Sequence, residues 1–586
     1  MKVKTKDLPW KYLDEFRNKD FYGEWPTFPE MLEIQVKRNG NRPYFTVFDG
    51  PNEEKNTLTY SQVFEKVKIL ANWFISEGIK KGDKILVSGK NSPEWALVYL
   101  AALYASAIII PVDNGLHEKE VHNIIKTCSP KIAIVDDEKA EFISKDFPEI
   151  LIKSLNPSVP QNYVYNLKSE KEFALNEKVS ENDTAAILFT SGTTGTPKGV
   201  MLSHKNLICD GFLAQTNFAI NNQDVFYALL PIHHAYTMQA AFVCPLEAGA
   251  EIVFGKSMAV SKLMKELREG KITVMLGVPL LYNKLLAGIN KGIRSKGVLV
   301  AALMAFLREI SYLIKKLTGK NPGKKIFKSV LKQANIYTLR IAISGGGPLT
   351  KGVFKQYQSM GLDFVQGYGL TETSPILTLN PIEHFKIQSV GRDFSPFEEV
   401  RIQDTKTGEY GSGKNFVGEI VVKGPMVMQG YYKMPEETAA MYNSDGFLKT
   451  GDLGWIDSEH YLMLCGRAKN LIVTWGGKNV YPEEVEDSFQ LYSDIQQITV
   501  QEYKEGKNSE VQIEALIYPS DDLYKNLNVD RQTDFNNAAI QKEVQKIVNK
   551  VNFSLPPYAR ISKITILQTA LEITTSLKVK RNYAKK

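Results

Sequence analysis

Cysteine is scarce in this chain: four in 586 residues, at Cys128, Cys209, Cys244 and Cys465, with no CxxC pair and no Cys/His spacing suited to zinc. Neither a disulfide framework nor a structural metal is expected, and a reducing cytosol fits. The seven histidines make no metal-ligand pattern and no Ser-His-Asp order. The opening stretch, MKVKTKDLPWKYLDEF, holds no apolar core, so no secretory leader is expected. No apolar run reaches the roughly 18–20 residues needed to cross a bilayer. Repeats of solenoid period are missing too.

Most of the chain also lacks an excess of one charge. The net charge is +7, but residues 291–328 hold ten Lys/Arg against a single acid, Glu309, so the remainder is slightly acidic. The basicity is local, and no nucleic-acid partner is expected. What is present is ordinary globular composition, 43% hydrophobic and 23% charged, in a chain too long for one core. Nothing in the sequence sets the oligomeric state.

Residues 82–137 alternate strand and helix signals. GDKILVSG, AIIIPV and KIAIVDD read as strands; SPEWALVYLAALYAS and LHEKEVHNIIKTC read as helices, the first with a Ser-Pro start. This βαβαβ rhythm predicts parallel strands with right-handed crossovers. It resumes with EIVFG, a helix near 261–269 and TVMLGVP, then LRIAISGGGPLT and DFVQGYGLTETS. After about residue 395 short alternating segments such as VRIQD, GEIVVKG and YLMLCGR predict an antiparallel sheet or small barrel. From about 467 onward, strands (QITVQEY, VQIEALIYP, KITILQT) mix with helices, which predicts a separate small α+β domain joined through residues 466–470.

Residues 190–200, TSGTTGTPKGV, follow a short apolar segment read as a buried strand and precede a helix expected over 203–214. A Gly-rich turn lets backbone N–H groups converge on one anion, with hydroxyls and Lys198 adding donors, so phosphate is a natural guest. A flexible surface turn is the alternative that this motif alone leaves open. The loop is not a Walker A motif, because Lys198 is followed by Gly199.

Four further motifs follow in order: SGGGPL (344–349), QGYGLTETSP (366–375), KTGDLG (449–454) and GRAKNLIVTWGGKNVYPEEVE (466–486). Together with the loop they resemble the AMP-forming adenylating superfamily, which includes acyl-CoA synthetases, firefly luciferase and peptide-synthetase adenylation domains. The likeness is greatest to bacterial long-chain fatty acid–CoA ligases. It implies an α/β fold: a large N-terminal adenylation domain (1–466) of parallel-sheet βαβ subdomains with a small β-barrel-like part, and a small, mobile C-terminal α+β lid (467–586). It also implies ATP-dependent activation of an acid to acyl-adenylate, then transfer to coenzyme A, with Mg2+ as cofactor.

Residue by residue, the resemblance gives phosphate binding to Thr190, Ser191, Gly192, Thr193, Thr194, Gly195 and Lys198. It gives adenine packing to Gly345, Gly346, Gly347, Pro348, Tyr368 and Gly369. Thr371 is expected on the α-phosphate, Glu372 as the magnesium ligand, Asp452 on the ribose and Arg467 on ribose or phosphate. Lys469 falls at the hinge. Lys578, in LEITTSLKVKRNYAKK, aligns with the catalytic lysine, although Leu577 replaces the family's common Gly. Gly476, Gly477 and Lys478 are expected to border coenzyme A after the lid turns. His234, in LLPIHHAYTM, would line the acyl channel as a catalytic-site residue; the alternative is a structural histidine. The chain runs only a few residues past Lys578, which argues against a fused carrier domain.

Residues 297–328, GVLVAALMAFLREISYLIKKLTGKNPGKKIFK, allow two readings. One is an amphipathic helix lying in a membrane interface. The other is a helix packed on the protein with a solvated basic face. Bacterial long-chain acyl-CoA synthetases carry a similar insert here, which favours a long-chain acid; a cytoplasmic location is expected, with peripheral contact to the inner face of the membrane through residues 291–328 under the first of the two readings. Rival acids are medium-chain or aryl, and a carrier protein is a rival acceptor. Outside enzymology, a non-catalytic nucleotide-binding scaffold remains.

Overall fold

The computed structural model describes residues 8–50, 52–190, 197–257, 259–347, 349–474, 477–504, 511–572 and 579. The βαβ rhythm yields a seven-stranded sheet in the order Gly430–Tyr431, Lys198–Ser203, Thr184–Thr190, Ile108–Val112, Lys84–Ser88, Ile132–Val135, Leu151–Ser154. The last five strands of that order run parallel. The crossover helix Pro93–Tyr104 starts on Ser92, whose hydroxyl accepts the Trp95 N–H, with proline in its first turn. Ten of its twelve residues are buried. A helix apolar on all sides must be covered on all sides; this one packs on Lys84–Ser88 and Ile108–Val112 and also on Pro43–Asp49 of a second sheet.

That second, eight-stranded sheet runs Ile376–Leu379, Asp363–Gly369, Ile341–Ser344, Val274–Gly277, Val225–Ala228, Glu251–Phe254, Pro43–Asp49, Glu54–Thr59. Its edge strands are antiparallel and its inner strands parallel. The alternating segments after residue 395 form a five-stranded antiparallel sheet, with irregular register near Glu419 and Leu453 that adds local twist. Near the C-terminus, Ile495–Tyr503, Gln512–Pro519 and Lys563–Ile566 make a three-stranded sheet. The helix Ala538–Ser554 buries Ile540, Val544, Ile547, Val548 and Val551 in a hydrophobic cluster confined to this smaller unit.

The expected helix after the Gly/Thr loop is His204–Gln215, capped by Ser203, whose Oγ accepts the Asn206 N–H at 3.0 Å. The strand before it, Lys198–Ser203, was not expected. KGVMLS is too short and too Gly-weakened to read as a strand alone; it becomes one by pairing antiparallel with Thr184–Thr190. All four cysteines are buried free thiols. Among the described residues, no helix is long and apolar enough to cross a membrane.

Candidate active site

The antiparallel pair Thr184–Thr190 and Lys198–Ser203 sets Thr190 directly opposite Lys198, at the base of the Gly/Thr loop. The loop residues Ser191, Gly192, Thr193, Thr194 and Gly195 lie outside the described residues. The Lys198 ammonium stands 4.7 Å from the centre of the Tyr431 ring. Tyr431, on the neighbouring edge strand opposite Val200, donates its hydroxyl hydrogen to Glu372 Oε1 at 2.8 Å. Burial, reinforced by the Glu372 carboxylate, raises the Tyr431 phenol above its usual value, so it stays a donor. Glu372 sits in the tight turn Thr371–Thr373, pinned by the Met428 N–H on its carbonyl at 2.9 Å. A lysine, a tyrosine and a glutamate far apart in sequence thus form one connected row.

A second row lies nearby. Asp452 and Arg467 are cross-strand partners, and their side chains form an ion pair of 2.9 Å between Arg467 Nε and Asp452 Oδ1. The other carboxylate oxygen accepts the Tyr368 hydroxyl at 2.8 Å. Burial first, and Asp452 second, push the Tyr368 phenol well above its usual range.

Gly345 and Gly346 follow the strand Ile341–Ser344. A Cβ on Gly345 would come 2.8 Å from the Tyr236 ring, and Gly346 has φ +79°, so both positions favour glycine. The Tyr236 hydroxyl is fixed by the Gly277 and Ile343 carbonyls at 3.3 and 3.1 Å.

Apart from Asp452, these side chains and glycines border one cavity of about 830 Å³. Its polar wall includes Thr190, Lys198, Thr371, Glu372, Arg467 and Lys469; Gly345, Gly346, Tyr368 and Gly369 form another part. Asp452 does not line the cavity itself but contacts two side chains that do, Tyr368 and Arg467. Phe218, Phe226, Leu230, Val278 and Leu379 supply an apolar side. His233 and His234 also border it, their rings 4.3 Å apart, with His233 Nε2 at 3.4 Å from Asp113 Oδ1. Asp113, His233 and His234 bring ligand-capable atoms within 4.8 Å of one another. Sequence spacing gave no metal-ligand pattern for the histidines; folding makes this constellation by adding an aspartate from a distant strand end.

Other expected residues stand elsewhere. Gly347 does not line the cavity, and Pro348 and Gly476 lie outside the described residues. Gly477 and Lys478 are exposed at the turn between Ile472–Val473 and Asn479–Val480, away from the cavity. Lys578 is outside the described residues. Tyr431 and Tyr236 were missed by sequence reading. The only signals were their places in QGYYK and HHAYTM, which carry no spacing rule.

Two open α/β sheets sharing a core, a cleft and a smaller C-terminal unit match the architecture of adenylate-forming enzymes. The chain belongs to the AMP-binding enzyme family, whose pattern matches residues 32–432. It is 28% identical over 479 residues to a putative acyl–CoA ligase, YdaB, of Bacillus subtilis, covering 78% of this chain and 85% of that one. It is 28% identical over 508 residues to the long-chain-fatty-acid–CoA ligase heimdall of Drosophila melanogaster, covering 79% and 72%. A feruloyl-CoA synthase of Amycolatopsis is 27% identical over 503 residues, covering 85% and 89%. In fold it resembles ATP-bound MatB of Rhodopseudomonas palustris, with TM-score 0.74 and 24% identity over 95% of this chain and 98% of that one.

Proposed function

We propose that this protein joins a fatty acid, long-chain by preference, to coenzyme A through an acyl-adenylate. A carboxylate oxygen attacks the α-phosphorus of ATP, the bond to the β-phosphate oxygen breaks, and pyrophosphate leaves. The coenzyme A thiol, losing its proton, then attacks the acyl carbon and AMP departs. The observation that carries this reading is the cavity itself. Its polar wall, with Lys198, Thr371, Glu372 and Arg467, suits a polyanion, and its apolar side suits an acyl chain.

The first step brings an anion to a polyanion, so charge neutralisation and positioning dominate over acid–base work. Lys198, Thr190 and the loop amides hold the phosphates, and Thr371 orients the α-phosphate. Gly345, Gly346 and the Tyr368 ring flank adenine. Asp452, aimed by Arg467, accepts the ribose hydroxyls. The oxygen chemistry of Glu372, oriented by Tyr431, fits a hard divalent cation, and Mg2+ held there would neutralise phosphate charge. His234 borders the acid's carboxylate. Lys578 bridges carboxylate and α-phosphate. Residues 467–586 act as a lid turning about Lys469, which withdraws Lys578 and brings Gly476, Gly477 and Lys478 over the coenzyme A arm.

The aromatic side chains in the apolar wall, and the likeness to feruloyl-CoA synthase, support a second reading in which the acid is aromatic. Acid-dependent AMP release with coenzyme A, across acids from hexanoic to octadecanoic and including ferulic, tests both. Greatest kcat/KM with the long chains is expected. ATP–pyrophosphate exchange stimulated by no acid would overturn the enzyme reading. Activity only with a carrier protein would reassign the acceptor.

A further inference from the structure

The helix Val298–Thr318 carries polar groups on the face turned to the protein and leaves an apolar stripe on the face turned away. Its inward face is mixed: Ala301, Met304 and Leu307 pack on the core, while Ser311 is fully buried, Arg308 donates to Asn290 Oδ1 and Gln356 Oε1 at 2.8 and 2.9 Å, and Lys315 pairs with Asp363 at 2.9 Å and donates to Gln358. Its outward face is apolar. Leu299, Leu303, Phe306, Ile310, Leu313 and Leu317 recur at alternate spacings of four and three residues and are all exposed, Leu299 by 87% and Phe306 by 62%. At about 100° per residue these six fall within a stripe roughly 80° wide, opposite Arg308 and Lys315. Leaving such a stripe in water forfeits the burial energy that normally sets a helix's orientation, so the stripe needs a cover.

Charge indicates which cover. Arg294 and Lys296 precede the helix, Lys316 and Lys320 stand at its far end, and all four are exposed. Glu309, the one acid within the helix, pairs with Lys355 at 2.7 Å. Two copies of this face would set cation against cation at both ends in either orientation. A bilayer with anionic headgroups would accept the stripe among its acyl chains and the terminal cations among its phosphates.

We propose that Val298–Thr318 is a docking helix that lies in the plane of an anionic membrane surface. The inference does not depend on the reaction proposed above, because vesicle binding is read without turnover.

The test is co-sedimentation of the full chain with phosphatidylcholine vesicles with and without phosphatidylglycerol. Binding is expected only with phosphatidylglycerol, falling as salt rises. Leu303→Gln/Phe306→Gln/Leu313→Gln should weaken partitioning at least about tenfold, since each buried side chain carries roughly that factor. Lys316→Glu/Lys320→Glu should cost roughly fivefold per cation and flatten the salt dependence. Glutamine keeps helix propensity, and unchanged thermal unfolding of both variants would confirm that the fold is intact. The proposal falls if the wild-type chain stays in the supernatant with anionic vesicles at low salt, or if the triple variant binds undiminished. It also falls if the stripe instead mediates a dimer that the triple variant abolishes.

Discussion

Tyr431 links Lys198 to Glu372, residues far apart in the sequence, through a ring face and a hydroxyl. The two contacts can be separated. Tyr431→Phe keeps the ring beside Lys198 and removes the only donor that Tyr431 offers Glu372. A hydrogen bond to a charged group is worth about 1.5–3 kcal/mol, so kcat/KM for Mg2+–ATP should fall roughly tenfold or more, with a higher Mg2+ requirement in acid-dependent pyrophosphate exchange. An unchanged Mg2+ dependence would remove Tyr431 from the site. Motif reading found Glu372 and Lys198 because they sit inside ordered local strings. It missed Tyr431 because a residue that acts through packing between two motifs has no local string of its own.

Titratable groups at the ends of two helices make those elements sensitive to pH in opposite senses. His204 opens the helix His204–Gln215, and its Nδ1 accepts the Phe28 N–H at 3.1 Å. Burial lowers its pKa to about 3. The folded protein therefore holds it neutral, and the unfolded chain takes up the proton first. The stability it contributes is present above about pH 6.5 and is lost as pH falls from there toward 3, by about 1.4 kcal/mol per pH unit. Denaturant unfolding between about pH 4 and 7 should show that slope reduced in His204→Gln. Asp487 ends the helix Pro482–Asp487 in the C-terminal unit, and burial, with Glu486 adding to it, pushes its carboxyl up to about 8. Gln490 donates to its Oδ1 at 3.0 Å and accepts the Thr350 N–H at 3.2 Å, which ties this unit to the segment after the glycines. Here the sign reverses: the contribution is full below the ordinary aspartate pKa and is lost as pH rises toward 8. Asp487→Asn should stay level over that range, and a parallel decline in the variant would exclude Asp487 as the source.

At the scale of the whole molecule, the proposed lid motion predicts a division of labour. Lys578→Ala should cripple adenylate formation while leaving thioester formation from supplied acyl-adenylate largely intact; equal losses in both half-reactions would refute it. The parallel sheets, the separate C-terminal unit and the order of the five motifs were legible in the sequence. Strand and helix periods are local, and so are the Gly-rich turns and charged residues that carry phosphate chemistry. What the sequence alone determined is therefore most of the elements, though not the strand Lys198–Ser203, and the membership of the AMP-binding family. Only the tertiary structure decided which side chains meet: Tyr431 between Lys198 and Glu372, Asp113 beside the histidine pair, and the helix Val298–Thr318 with polar groups on its inward face. Those are contacts between residues remote in sequence. Their free energies depend on burial and partners that exist only once the sheets have packed, so no local pattern encodes them.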